Sequence, residues 1–213
     1  SRFTDVRNPD ASAAPARPGA RDEVDFVSGR TRVYGIVGDP IEQVRSPEMI
    51  TAEFVRRGID ALMIPVHVRP ADFDACLAQL KRVQNLDGLV FTIPYKRTAI
   101  ALADDIGDHA RTIGAINALA RRPRGRWVGD IFDGMGCVEA FRRRGYAIRG
   151  QRLMLIGAGG AGAAIGIAMA HEHPRSMRLF DIDPQRAADL AASIRTVDAS
   201  IDVDVGEPVT TGI

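Results

Sequence analysis

The apolar run RLMLI (152–156) passes directly into GAGGAG (157–162) and then into the alanine-rich AGAAIGIAMA (161–170). No other stretch of the chain constrains its fold as tightly. A G-x-G-x-x-G pattern lying between an apolar strand and a helix makes the first turn of a βαβ unit in a nucleotide-binding sheet. Gly157 permits the tight turn, Gly159 lets the backbone approach a pyrophosphate, and Gly162 lets the helix pack closely on the strand, with Ala158, Gly160 and Ala161 completing the loop. The N–H groups that open the helix then face the anion.

A second strand, MRLFD (177–181), ends on Asp181. A carboxylate at that point hydrogen-bonds the ribose hydroxyls of NAD and repels the 2′-phosphate of NADP, so NAD is expected as cofactor in preference to NADP. Arg186, five residues on, reads as a solvated helix residue rather than a phosphate contact. After the helix PQRAADLAASI (184–194) comes a third strand, IDVDV (201–205). A complete dinucleotide-binding sheet has about five or six strands. The chain is therefore expected to be C-terminally incomplete and to expose a sheet edge and part of an apolar face.

Before residue 134 the chain alternates again. VYGIV (33–37) reads as a strand stopped by GDP (38–40), and SPEMITAEFVRRG (46–58) as a helix with Ser46 at its N-cap, Pro47 at its first position and Gly58 closing it. Its apolar positions are Met49, Ile50 and Phe54. Strands follow at ALMIPVHV (61–68), DGLVFT (87–92), AINALA (115–120) and RWVGDI (126–131). Helices are expected over 70–83, 96–105 and 138–145. The fold class is α/β: one α/β domain over 31–133 and a partial Rossmann-like parallel sheet over 134–213. The aperiodic, Pro- and Ala-rich segment 1–30 reads as a flexible tail, and its opening on Ser1 suggests trimming.

Composition removes several function classes. Among 213 residues, Lys+Arg 28 against Asp+Glu 27 leaves a net charge of +1, which argues against nucleic acid or an anionic membrane as partner. No apolar run approaches the roughly 20 residues that span a bilayer, so the chain reads as soluble and cytoplasmic. Cys76 and Cys137 fit two free thiols rather than a disulfide scaffold or zinc site. His67, His109, His171 and His173 lack metal-ligand spacing, so no metal is expected. Trp127 reads as core, and the runs Arg121–Arg122 and Arg142–Arg144 as solvated faces.

Short polar motifs gather at strand ends, where sites form: GDPIEQVRSP, FTIPYK, IGAIN and GDIFDG. In order and spacing, these and GAGGAG resemble the shikimate dehydrogenase family, whose pattern runs GDP…SxSP, NVTxPxK, GAxNT, GxNTDG and GAGGA. The likeness covers about 31–213. It implies a substrate-binding catalytic domain followed by an NAD(P)-binding domain, and a monomer or homodimer. Lys96 matches the family's catalytic lysine and Asp133 its paired aspartate, while Ser46, Thr92 and Asn117 match its substrate-binding residues. The implied reaction is hydride transfer between a ring hydroxyl of a small hydroxy-carboxylate and the nicotinamide. An amine oriented by a carboxylate would take the alcohol proton.

The departures from the pattern are informative. Val44 replaces the first serine of SxSP, Val90 the asparagine of NVT, and Ile131 and Phe132 the Asn-Thr of NTDG. A greasier pocket is expected, hence a paralogue acting on shikimate, quinate or a relative, with Arg45 a candidate for pairing a substrate carboxylate. The rival readings are NADP-dependent shikimate dehydrogenase proper and a non-catalytic ligand or NAD sensor on the same fold.

Overall fold

Each of the expected strands forms, and together they sort into two sheets. In a computed structural model describing residues 27–206, the order is β1 (Arg32–Gly38), α1 (Ser46–Arg56), β2 (Ala61–His67), α2 (Phe73–Leu80), β3 (Leu86–Phe91), β4 (Asp105–Ile106), α3 (Asp108–Ile113), β5 (Ala118–Arg121) and β6 (Trp127–Asp130). Then come α4 (Asp133–Arg143), β7 (Arg152–Ile156), α5 (Gly160–Ala170), β8 (Ser176–Phe180), α6 (Pro184–Val197) and β9 (Asp202–Val205). The first sheet runs β2-β1-β3-β5-β6-β4 and the second β7-β8-β9. Most of the segment expected to be a tail lies outside the described residues.

In the first sheet β2, β1 and β3 are parallel, whereas β5 runs antiparallel to β3 and β6, with Leu89 opposite Leu119 and Leu119 opposite Gly129. Val37, Leu77, Leu89, Phe91, Ile116 and Leu119 fill its core. Burying each such side chain contributes about 1.5–3 kcal/mol. The second sheet is wholly parallel, and Met177 and Leu179 of β8 share its core with Ile167 of α5 and Ala191 and Ile194 of α6. Its β7 has β8 as its sheet neighbour among the described residues, and Met154 and Ile156 stand 66% and 72% exposed.

Five local expectations are corrected. Ser46 is the first residue of α1 rather than its cap, because the chain is already turning and the carbonyl of Arg45 accepts the N–H of Met49. Met49, expected on the apolar face, is exposed. The helix expected over 70–83 becomes a 3-10 turn, Pro70–Asp72, plus α2. Its last turn tightens, with Arg82 and Val83 giving their N–H groups to the carbonyls of Gln79 and Leu80 three residues back, and Arg121 takes the carbonyls of Lys81 and Val83, each at 2.7 Å. Arg121 is thus not a solvated residue, and its guanidinium lies 5.0 Å from the centre of the buried Trp127 ring. The helix expected over 96–105 reduces to a 3-10 stretch, Thr98–Leu102, because the Lys96 carbonyl is diverted to the N–H of Ile116. No helix among the described residues is long and apolar enough to cross a membrane.

Candidate functional site

The segment after β3 carries Lys96, and four contacts hold it. Thr92 donates its N–H to the Val37 carbonyl and accepts the N–H of Tyr95, at 3.0 and 2.9 Å. The Tyr95 ring is buried, stacks on Phe73 with centroids 4.3 Å apart, and its hydroxyl donates to the Val68 carbonyl. Burial raises the phenol's pKa, so Tyr95 stays protonated as a structural donor. Lys96 then donates from Nζ to Oδ2 of Asp133 at 2.7 Å, with the two side chains 16% and 23% exposed. A water-poor pair of this kind can hold and release a proton at a defined point.

Asp133 is the first residue of α4, with Phe132 at the cap position. Asn117 reaches this helix from the segment before β5: its side-chain oxygen accepts the N–H of Phe132 at 3.0 Å, and its own carbonyl accepts the N–H of Phe91 at 2.8 Å. One residue, through its backbone carbonyl and its side-chain oxygen, therefore ties the end of β3 to the start of α4. With its oxygen so used, the Asn117 side chain retains an NH₂ donor for a ligand. Ser46 is partly exposed at the start of α1, and Arg45 pairs with Glu48 rather than standing ready for a carboxylate.

The departures noted in the motifs sort differently in space. Val44 and Val90 pack against the cluster of Ile36, Ile41 and Met63. Ile131, 2% exposed, turns instead toward Ala115 and Ala164.

The glycine turn meets this region through two close approaches. A Cβ on Gly134 would overlap the Ala164 carbonyl oxygen, so its absence lets α4 cross close to α5. At Gly160, a Cβ would lie 3.6 Å from Lys96 Cβ, placing the lysine stem in van der Waals range of the turn. Gly157 has φ +97, and a Cβ on Gly162 would overlap the Gly157 carbonyl oxygen. No atom comes within 4 Å of a Cβ placed on Gly157 or Gly159, which leaves the open cradle a pyrophosphate needs. Ala158 is buried, while Gly159, Gly160, Ala161 and Gly162 are partly exposed.

Asp181 does more than edge this turn. Its two oxygens accept the N–H groups of Asp183, at 2.9 Å, and of Ala158, at 2.5 Å. These amides, Asp183 first, hold its pKa below the usual carboxylate range, with a smaller contribution from Arg186. Each oxygen keeps acceptor capacity for a ribose hydroxyl. Asp183 caps α6 through the N–H of Gln185 and pairs with Arg186 at 3.3 Å, so two carboxylates stand on this rim.

Motif reading had passed over Tyr95, although TIPYK displays it, and Gly134, although FDG does. It also missed the rim pair His67 Nε2–Asp39 Oδ1 at 2.7 Å, of which GDP supplies one half. On the far side of the α4–α5 crossing a groove of about 560 Å³ opens among Ile113, Val138, Ile167, His109 and His171. Its lining does not include Lys96 or Asp133.

The model of the shikimate dehydrogenase substrate binding domain matches residues 36–119. A NADP(+) shikimate dehydrogenase of Anaeromyxobacter sp. (strain K) is 35% identical over 176 residues, covering 81% of this chain and 62% of that protein. The chain spans about three-fifths of the length of such curated relatives. The ligand-free 5-ketofructose reductase of Gluconobacter sp. strain CHM43 superposes with TM-score 0.72 at 26% identity, covering 84% of this chain and 63% of that one. Shikimate 5-dehydrogenase from Listeria monocytogenes, in complex with shikimate and NAD, gives TM-score 0.76 at 24% identity over 86% and 63%, a likeness of fold.

Proposed function

The chain belongs to the shikimate dehydrogenase family, and from its site we propose reversible hydride transfer between a ring hydroxyl of shikimate, quinate or a related hydroxy-carboxylate and NAD or NADP. The observation that carries this reading is the 2.7 Å Lys96–Asp133 contact set beside the glycine turn at Gly160. A proton-handling pair and a pyrophosphate cradle on adjoining segments are what alcohol oxidation requires of a protein. Residues 31–133 supply the substrate side and 134–213 the nucleotide side.

The bound nicotinamide supplies the acceptor or donor of hydride at its C4. Everything else falls to this chain. As the alcohol C–H electrons leave as hydride, the O–H proton passes to the Lys96–Asp133 pair; in the reverse direction the pair returns it and stabilises charge on the carbonyl oxygen. The pair is assigned jointly because the 2.7 Å contact puts both side chains at the same point. Asn117 offers its NH₂ to a substrate oxygen, and Ser46 and Thr92 offer hydroxyls to the ring substituents. Gly157, Ala158, Gly159, Gly160, Ala161 and Gly162 cradle the pyrophosphate. The Asp181 and Asp183 carboxylates on one rim favour NAD, since a 2′-phosphate there would meet two negative charges. Such a dehydrogenase works in the cytoplasm, where its cofactor is abundant.

The test follows nicotinamide absorbance with NAD or NADP and a panel of shikimate, quinate and related hydroxy acids, and with NADH or NADPH and a keto sugar, the last included because of the ketofructose reductase likeness. Reduction of NAD by a ring acid, abolished in Lys96→Ala, is the expected result. Silence across the panel with cofactor binding intact would overturn the reading in favour of a sensor.

A further inference from the structure

Asp130 is a carboxylate that the proposed chemistry does not use, and it is 4% exposed. Its Oδ1 accepts two backbone N–H groups, from Ala110 at 3.0 Å and from Ile131 at 2.9 Å. Its Oδ2 lies 3.7 Å from His109 Nδ1 and against the backbone at Gly107, where a Cβ would overlap it. Its carbonyl accepts the N–H of Asn117 at 3.0 Å. Residues 131 and 132 belong to neither β6 nor α4, so no ladder or helix serves their N–H groups. Ile131 gives its N–H to Asp130 Oδ1 and Phe132 gives its N–H to Asn117 Oδ1. Two side chains, themselves linked by Asn117 N–H to Asp130 C=O, thus fix the whole connection that ends at Asp133.

A buried charge is costly to keep and is retained where its hydrogen bonds do a task that a packed apolar side chain cannot. We infer that Asp130 is a positioning residue: it sets the entry of α4, and through that entry the placement of the Asp133 carboxylate against Lys96. This rests on the reading of Lys96 and Asp133 as the proton-handling pair. A carboxylate displaced by about 1 Å at the reacting centre can cost about 10²-fold in rate without weakening substrate binding.

The experiment compares Asp130→Ala, Asp130→Ser and Asp130→Asn with the unaltered protein. It reads kcat, KM for the ring acid, thermal unfolding, and the NMR signal of the Lys96 ammonium, assigned with Lys96→Arg. In Asp130→Ala, kcat is expected to fall at least about tenfold with KM within about threefold, and the Lys96 signal to shift or broaden. Asp130→Asn keeps an oxygen acceptor for both N–H groups and recovers most of kcat and the Lys96 signal. Asp130→Ser, which keeps one acceptor, lies between and stands in if the alanine variant does not fold. An unchanged Lys96 signal in a folded alanine or serine variant overturns the inference, as does a rise in KM at constant kcat. If the unaltered protein turns over no substrate, the functional reading fails, and the Lys96 signal alone still decides the positioning role.

Discussion

The two sheets hold their shares of the site by opposite means. At the six-stranded sheet the work is done by side chains, with Lys96 on Asp133, Asn117 on the N–H of Phe132, and Tyr95 wedged between Phe73 and Val68. At the three-stranded sheet it is done mainly by backbone, with Gly157 at φ +97 and Gly162 against the Gly157 carbonyl, and a single carboxylate, Asp181, accepts the N–H of Ala158 in the turn. The contrast teaches where function and stability separate. Lys96 and Asp133 meet outside the packed core of the first region, whereas a methyl added at Gly162 in the second would overlap the Gly157 carbonyl oxygen.

The largest expected effect sharpens that contrast at its chemical end. Lys96→Ala should lower turnover by about 10²–10⁴-fold while cofactor affinity, followed by titration calorimetry, stays within a few-fold. An equal loss of cofactor binding would show that the two regions are not separable. Next, Gly162→Ala forces a Cβ onto the Gly157 carbonyl. Overpacking of this kind costs about 1–3 kcal/mol, and thermal melts together with cofactor binding should both report it.

A smaller effect is expected from Asp181→Asn, which removes one of the two rim carboxylates but keeps an acceptor for the N–H of Ala158. The ratio of kcat/KM for NAD over NADP should fall by about tenfold, equivalent to about 1.4 kcal/mol. An unmoved ratio would leave the cofactor preference to other residues.

The smallest concerns a pin between loops of the second sheet. Asp198 accepts from the Ser200 hydroxyl and pairs with His173 at 2.7 Å, and these contacts, Ser200 first, lower its pKa to about 2. A depressed folded-state pKa adds stability above the ordinary carboxylate value, and that stability is lost as pH falls from about 4 through about 2. Melts of Asp198→Asn should therefore lie below the unaltered protein at pH 6 and converge with it near pH 2. Parallel curves at both pH values would remove Asp198 from the account.

Strands were legible where apolar runs met Gly or Pro punctuation, and β7, β8 and β9 fell within a residue or two of their expected bounds. Helices were less so, because their ends meet distant partners. Arg121 takes the carbonyls of Lys81 and Val83 just past α2, and Ile116 takes the Lys96 carbonyl that would have begun a helix. Neither partner is visible in the local pattern. At the site, the motifs supplied Lys96, Asp133 and Asn117 as types in order. They were silent on Tyr95 and Asp130, whose roles depend on being buried next to particular backbone groups.

By itself the amino-acid order determined two α/β units, a glycine turn between strand and helix, and a set of polar residues at strand ends. Those features are local: they depend on side-chain period and on φ values that only glycine adopts readily. The resemblance paired Lys96 with Asp133, and the tertiary structure makes that pair a 2.7 Å contact across 37 positions of chain. It also decided that Ile131 faces Ala115 and Ala164, and that Asp181, expected to meet the ribose hydroxyls, accepts the N–H of Ala158 in the glycine turn. Such contacts are set by how segments distant in sequence approach one another. Here that approach is set by the α4–α5 crossing, as close as the missing side chain of Gly134 allows.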